Sequence, residues 1–374
     1  MPTETVPGES RVAVVPDDVA KLAEAGVTVL VERGAGRRAF YDDAAYEAAG
    51  AGIVNDASGL AQSDILAVVR PPDGRLLTTL SPGTVLVGFL DPARNGALIE
   101  RLGASGVVAF AVELIPRITR AQSMDALSSM STIAGYRSVL VAAEASKRMF
   151  PMLITAAGTQ PPCRVLVLGA GVAGLQALAT AKRLGAVTFG FDTRPEVREQ
   201  VQSVGATFVQ MEEELQAEGT EGGYAKEVGE DFLRREQASI RPHVAGSDVV
   251  ITTALIPGKT APVLITAEMV AEMRPGSVIV DLAAEQGGNC ELSKAGEQVV
   301  EHGVTIVGPV NIAAQVATQA SQMYSRNIAN FIRLLVKDGK LAIDMEDEIL
   351  KGARVSAGGE APRRADMGEG PAIE

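Results

Sequence analysis

The sequence predicts an α/β protein of two doubly wound, parallel-sheet domains with a cleft between them, the first domain discontinuous. Three observations carry this. Strand-like and helix-like runs alternate over residues 11–115 and again over 164–308, the pattern of parallel strands joined by covering helices. A polar stretch at 116–125 and a helix-like segment at 125–148 separate the two sets. After Gly308 the pattern turns helical over 315–336, and this helix is expected to return to the first domain. At 374 residues the chain has room for two or three domains of roughly 150 residues each. The expected divisions are 1–127 with 309–345, then 128–308, and a disordered tail at 346–374 in which Gly, Arg, Glu and Pro dominate.

In the first set, strands are expected at 11–15, 27–31, 64–69, 84–90 and 107–112, and helices at 17–25, 42–49 and 95–102. Gly26, Gly50 and Gly103 follow these helices, where glycine readily takes the left-handed cap. A loop at 156–162, ending in Pro161-Pro162, leads into the second set, with strands at 164–168, 187–191, 248–253, 277–282 and 305–307. An acidic, glycine-containing insert at 211–229 interrupts that set and reads as an excursion from the core.

Composition narrows the function classes. Hydrophobic residues make up 47% of the chain but aromatics only 4%, with no Trp, so the cores must be built from Val, Leu, Ile and Ala. The formal charge of −12 argues against nucleic acid or anionic lipid as a partner. The two cysteines, Cys163 and Cys290, form no CxxC pair, which fits a reducing compartment. With only His243 and His302, far apart in sequence, neither a His-rich metal site nor a Ser-His-Asp triad is expected. Met1-Pro2-Thr3-Glu4 does not open a signal peptide, and no run reaches the ~18 apolar residues of a membrane helix. A soluble protein is expected.

The clearest motif is Gly169-Ala170-Gly171-Val172-Ala173-Gly174, directly after the strand-like run 164–168 and opening a helix-like run at 175–184. In this Rossmann-like setting Gly169 allows the tight turn and Gly171 lets the backbone approach a pyrophosphate. Gly174 allows close helix–strand packing. Val172 and Ala173 complete the turn. The next strand ends at Asp192, a carboxylate placed to accept the adenosine ribose hydroxyls and to repel a 2′-phosphate. Thr193 and Arg194 follow, and Arg194 pulls the other way, since an arginine can serve that phosphate. The acid at the strand end favours NAD(H). Ala254 and Leu255 close a later strand and are placed to line the nicotinamide half. Asp281 and Glu285 read as strand-end and loop carboxylates, with a metal or acid–base role as the alternative.

The stretch from Arg117 through Gln122 to Asp125 lies between the two sets; a helix-capping Asp125 and a solvated Arg117 are one reading, a substrate loop the other. This stretch, Gly135-Tyr136-Arg137, the fingerprint, Gly222-Gly223-Tyr224-Ala225-Lys226, and residues 251–266 and 275–290 together resemble the NAD(H)-binding domain of proton-translocating NAD(P) transhydrogenase. The likeness runs from about residue 9 to 343. It implies that Arg117 and Asp125 hold the carboxamide end of NAD(H), with Ser128 assisting. Gln122 would reach toward NADP(H) on a partner domain. Tyr224, beside Gly223, would sit on a mobile loop that closes over the nucleotide, which recasts the acidic insert as a lid. It further implies a homodimer, a beta subunit that binds NADP(H), and membrane-spanning subunits. The chain would then be peripheral on the inner face of the cytoplasmic membrane, and the hydride transfer Si-specific (AB-type).

The related alanine dehydrogenases place a Lys in the third strand region and a His after the fourth strand; this chain has Arg70-Pro71-Pro72 and Phe89-Leu90-Asp91 there. Amino-acid oxidation needs a general base, whereas hydride transfer between two nicotinamides needs proximity and orientation. A non-catalytic NAD(H)-sensing module is the other alternative. One departure from the transhydrogenase pattern lies after Gly308, where Asn311-Ile312-Ala313-Ala314-Gln315 replaces a Pro-Ser pair.

Overall fold

The computed structural model describes residues 1–210, 229–255 and 259–357. The chain divides into two compact units, Met1–Met130 with Ala313 onward, and Ser131–Ile312. Along the chain come α1 (Pro16–Glu24), β1 (Leu30–Glu32), α2 (Asp43–Ala48), β2 (Gly52–Val54), β3 (Ile65–Ala67), α3 (Gly74–Leu77), β4 (Val85–Gly88), α4 (Gly96–Ala104) and β5 (Val108–Ala111). Helix α5 (Ala126–Ala145) spans the boundary between the units. The second unit continues with β6 (Leu153–Thr155), β7 (Gly158–Gln160), β8 (Arg164–Leu168), α6 (Val172–Arg183), β9 (Val187–Phe191), α7 (Arg198–Ser203), β10 (Thr207–Val209), α8 (Glu230–Ala245), β11 (Val249–Thr252), α9 (Ala267–Ala271), β12 (Val278–Asp281), β13 (Gln298–Glu301) and β14 (Val304–Val307). The first unit then resumes with α10 (Ala317–Leu335), β15 (Val336–Lys337), β16 (Lys340–Leu341), α11 (Glu348–Ala353) and β17 (Arg354–Ala357).

The second unit is built on a seven-stranded sheet in the order β10-β9-β8-β11-β12-β14-β13, parallel except for the edge strand β13. Alternate residues of β8 enter different apolar clusters: Val165 and Val167 join one, Leu166 and Leu168 the other. Side chains alternate across a strand, so burial of both sets marks a sheet covered on both faces. That explains why its strands read as unbroken apolar runs. Strand order reverses between β8 and β11, where Thr252 pairs with Leu168; ligands of such sheets bind beyond the carboxyl ends of the strands at this switch point.

The first unit has a four-stranded sheet, β17-β5-β4-β3, with β3, β4 and β5 parallel and β17 antiparallel, beside a separate parallel pair, β1 with β2. No strand forms at residues 11–15. This buried apolar segment gives its Val12 and Val15 amides to the hydroxyls of Ser321 and Ser325 on α10 instead. An apolar run satisfied by serines looks, in sequence, like a run satisfied by neighbouring strands. Gly103 does not end its helix. It is buried within α4, and Gly106, at φ +76°, makes the left-handed turn that follows. The tail also departs from expectation: residues 348–357 form α11 and β17, with Ile349, Leu350 and Ala353 fully buried, and β17 pairs with β5. Residues 358–374 lie outside the described residues. Part of the loop expected at 156–162 is strand, since β7 forms an exposed hairpin with β6. Among the described residues, no helix is long and apolar enough to cross a membrane.

Candidate functional site

In the second unit, β8 turns into α6 through the glycine fingerprint. Gly169 sits at φ +90°, and a Cβ there would lie 2.8 Å from Thr253 Oγ1. The Thr253 hydroxyl donates to the Gly169 carbonyl at 2.8 Å, so the turn is tied to the end of β11. A Cβ on Gly174 would lie 1.9 Å from the Gly169 carbonyl oxygen, and one on Gly135 of α5 would lie 2.1 Å from that of Ala173. At Gly171, by contrast, a Cβ would meet nothing within 4 Å. Gly171 is also the N-cap of α6 and contributes no side-chain cap. A helix start with open space in front of it, and glycine where backbone must approach, is the geometry that receives a phosphate. These residues therefore fit the pyrophosphate of a dinucleotide. Val172, the first residue of α6, is exposed.

Asp192 follows β9 and is buried. Its Oδ2 accepts the Ala170 amide at 2.8 Å and Arg194 Nη2 at 2.9 Å; its Oδ1 accepts the Arg194 amide at 3.0 Å and Arg194 Nε at 2.9 Å. A carboxylate offers about four lone-pair sites, so Asp192 links the fingerprint turn, the strand end and the Arg194 guanidinium, whose proton affinity it raises. Thr193 lies half-buried between them. On α8, the Glu236 carboxyl is pushed up to about 7, first by burial and then by the negative charge of Asp192.

Ala254 and Leu255 follow β11. Both backbone groups of Ala254 bond to the fully buried Asn289 side chain, which accepts its amide at 3.0 Å and donates to its carbonyl at 2.8 Å. A third bond from Asn289 reaches the Pro262 carbonyl at 2.8 Å. Asn289 thus fixes the strand-end loop. Sequence reading passed over it, although an asparagine after Gly287-Gly288 marks a tight turn. Asp281 is saturated by Thr252, Ala283, Cys290 and Ser293, and Glu285 accepts the Asn311 amide; both serve the fold. Asn311 takes a left-handed φ of +46°, and a 3-10 turn at Ile312–Val316 leads into α10. Cys163 and Cys290 are buried, which pushes each thiol up to about 12.

In the first unit, a pocket of about 190 Å³ is lined by Pro116, Arg117, Ile118, Ala121, Gln122, Asp125 and Ser128. A 3-10 segment, Thr119–Met124, presents Gln122, which is exposed. Asp125 begins the turn into α5: its Oδ1 accepts the Ser128 amide at 2.8 Å and its Oδ2 the Ser128 hydroxyl at 2.6 Å. The capping reading of Asp125 therefore holds, and the cap itself is a wall of the pocket. Four of the residues singled out from sequence meet here: Arg117, Gln122, Asp125 and Ser128. Gly223 and Tyr224 lie outside the described residues.

Known proteins place both units in one lineage. Models of the alanine dehydrogenase/PNT N-terminal and C-terminal domains match residues 1–134 and 138–362. Over 99% of each chain, the sequence is 48% identical to an NAD(P) transhydrogenase subunit alpha polypeptide of Rhodospirillum rubrum. The chain belongs to the NAD(P) transhydrogenase alpha-subunit family. Its fold matches the crystal structure of transhydrogenase from Sinorhizobium meliloti with a TM-score of 0.87 and 43% identity, covering 96% of this chain and 98% of that one. An L-alanine dehydrogenase structure matches with a TM-score of 0.81 and 27% identity over 96% and 95% of the two chains, so the transhydrogenase alpha subunits and alanine dehydrogenase share this architecture.

Proposed function

We propose that this chain binds NAD(H) at the turn 169–174 and delivers hydride to NADP⁺ held on a separate NADP(H)-binding domain, in a complex whose membrane subunits couple transfer to proton translocation. The observation that carries the reading is the convergence of Arg117, Gln122, Asp125 and Ser128 on one pocket in a transhydrogenase alpha-subunit relative. The bound dinucleotide supplies the hydride. The chain's own residues bind and orient: the α6 N-terminus takes the pyrophosphate, Asp192 takes the adenosine ribose once the Arg194 guanidinium moves off its two oxygens, and Arg117 and Asp125 take the carboxamide. Ser128 steadies Asp125. Gln122, exposed at the pocket, faces the partner nucleotide; Tyr224 is assigned to the nucleotide by the family resemblance alone. Such transfer requires proximity and orientation rather than an acid or base. Transfer of the Si-specific, AB type belongs to this reading.

The first unit offers a further argument against amino-acid oxidation. Arg11 and Arg70 both turn onto the fully buried Glu9 carboxylate, at 2.6 Å and 3.3 Å. Cations next to the carboxyl end of β3 are thus committed to an internal carboxylate. Self-association as a homodimer is supported by the exposed β6–β7 hairpin, which presents Met152 and Ile154 to solvent. Association with membrane subunits at the inner face of the cytoplasmic membrane completes the proposal.

The test is to mix the full chain with an NADP-binding partner domain and follow transfer from NADH to an NADP⁺ analogue. Gln122→Asn is expected to slow transfer roughly 10- to 100-fold, the cost of about an ångström of misplacement, while NADH affinity stays unchanged. NADH binding without transfer by the wild-type mixture, or oxidation of L-alanine by the chain alone, would overturn the proposal. Transfer by Gln122→Asn at the wild-type rate would remove Gln122 from it.

A further inference from the structure

We infer that Asn327 and Asn330 of α10, together with Arg120 and Asp347, are positioning residues for Gln122; this rests on the functional reading above. The segment Thr119–Met124 is a 3-10 turn whose N-cap, Ile118, makes no side-chain capping bond. Short 3-10 segments have poorer hydrogen-bond geometry than α-helix, so this one depends on outside anchors. Two lie on either side of Gln122. The Ser123 carbonyl accepts Asn327 Nδ2 at 2.9 Å and Asn330 Nδ2 at 3.1 Å, donors from adjacent turns of α10. Arg120 lays its guanidinium on Asp347, with Nη1 to Oδ2 at 2.7 Å and Nη2 to Oδ1 at 3.0 Å.

The far ends of both anchors are themselves fixed. Asn327 is buried beside the core residues Ile328 and Phe331. Asp347 caps α11 by accepting the Ile349 amide at 2.8 Å, and α11 packs so closely that a Cβ on Gly352 would lie 3.1 Å from Pro116 Cδ. The peptide that carries Gln122 is therefore held one residue after it by α10 and two residues before it by α11. A lone exposed ion pair contributes little stability. A paired guanidinium–carboxylate contact fixes direction as well, and direction is what a transfer geometry requires.

The experiment uses the full chain with the NADP-binding partner domain, Asn330→Ala, and the double variant Asn330→Ala/Gln122→Asn. Asn330 is half-buried, so its truncation leaves the fold intact, which thermal unfolding verifies. Single-turnover transfer from NADH to NADP⁺ should fall about 10-fold in Asn330→Ala, with the NADH dissociation constant within about two-fold of wild type. In the Gln122→Asn background the same change should cost nothing further, because residues acting through one another are not additive. Unchanged transfer in Asn330→Ala, or a full additional loss in the double variant, overturns the inference while leaving the functional reading in place. A wild-type mixture that transfers no hydride overturns both.

Discussion

Asp192 holds four donors on two oxygens, so its substitution has two effects. Asp192→Ala removes the proposed ribose acceptor and should weaken NADH binding by about 1–3 kcal/mol, the cost of losing a partner in buried hydrogen bonds. It also releases the Arg194 guanidinium, which should make NADPH binding measurable. Titration calorimetry with both nucleotides reads the two effects, and an unchanged NADH affinity would remove the ribose contact. Glu236 gives a pH prediction. Its folded-state value of about 7 lies above the ordinary 4.5, so the folded state retains a proton that the unfolded chain has released. The associated stability is fully present below pH 4.5 and is lost as pH rises to about 7. The loss is on the order of 3 kcal/mol. Glu236→Gln should therefore be more stable than wild type at pH 8, with the advantage shrinking toward pH 5. A difference in unfolding midpoint that is the same at both pH values would contradict this. The acid at 192 was legible because it ends a strand after the fingerprint. Its repulsion of Glu236 was not, because the two carboxyls come together only in the folded chain.

The glycines of the fingerprint act between elements. Replacing an exposed mid-helix glycine with alanine ordinarily stabilises a helix by up to about 1 kcal/mol. Gly135→Ala in α5 should do the reverse, because the new Cβ would sit 2.1 Å from the Ala173 carbonyl oxygen. Forcing α5 away from the start of α6 should cost about 1–3 kcal/mol and weaken NADH binding by disturbing the turn. Thermal unfolding decides the sign: a stabilised variant would mean that propensity outweighs packing. Elements buried on both faces, such as β8, β9, β11 and β12, were readable as long apolar runs. β10 and β13 were missed because short edge strands carry few buried residues; β17, although Val355 and Ser356 are buried, was missed because it lies in a stretch dominated by Gly, Arg, Glu and Pro. The run at 11–15 misled for the opposite reason, being apolar and buried while its Val12 and Val15 amides go to serines of a helix.

For the whole molecule, the roles proposed for Arg117, Gln122, Asp125 and Ser128 came from the family resemblance, while the sequence alone determined the α/β class, the aliphatic cores, the glycine turn and the polar stretch 117–125. These are properties of contiguous segments: alternation, glycine spacing, and a carboxylate at a strand end. Tertiary structure alone decided what holds those segments in place. Asn289 fixes the end of β11, Asn327 and Asn330 grip the Ser123 carbonyl, and α11, in a stretch whose composition suggested disorder, braces Pro116 and Arg120. Each of these is a single polar residue, or one short helix, meeting a partner up to 236 positions away (Gly352 against Pro116). No local periodicity records such a meeting, because its free energy comes from satisfying a buried or constrained backbone group that only the folded chain brings within reach.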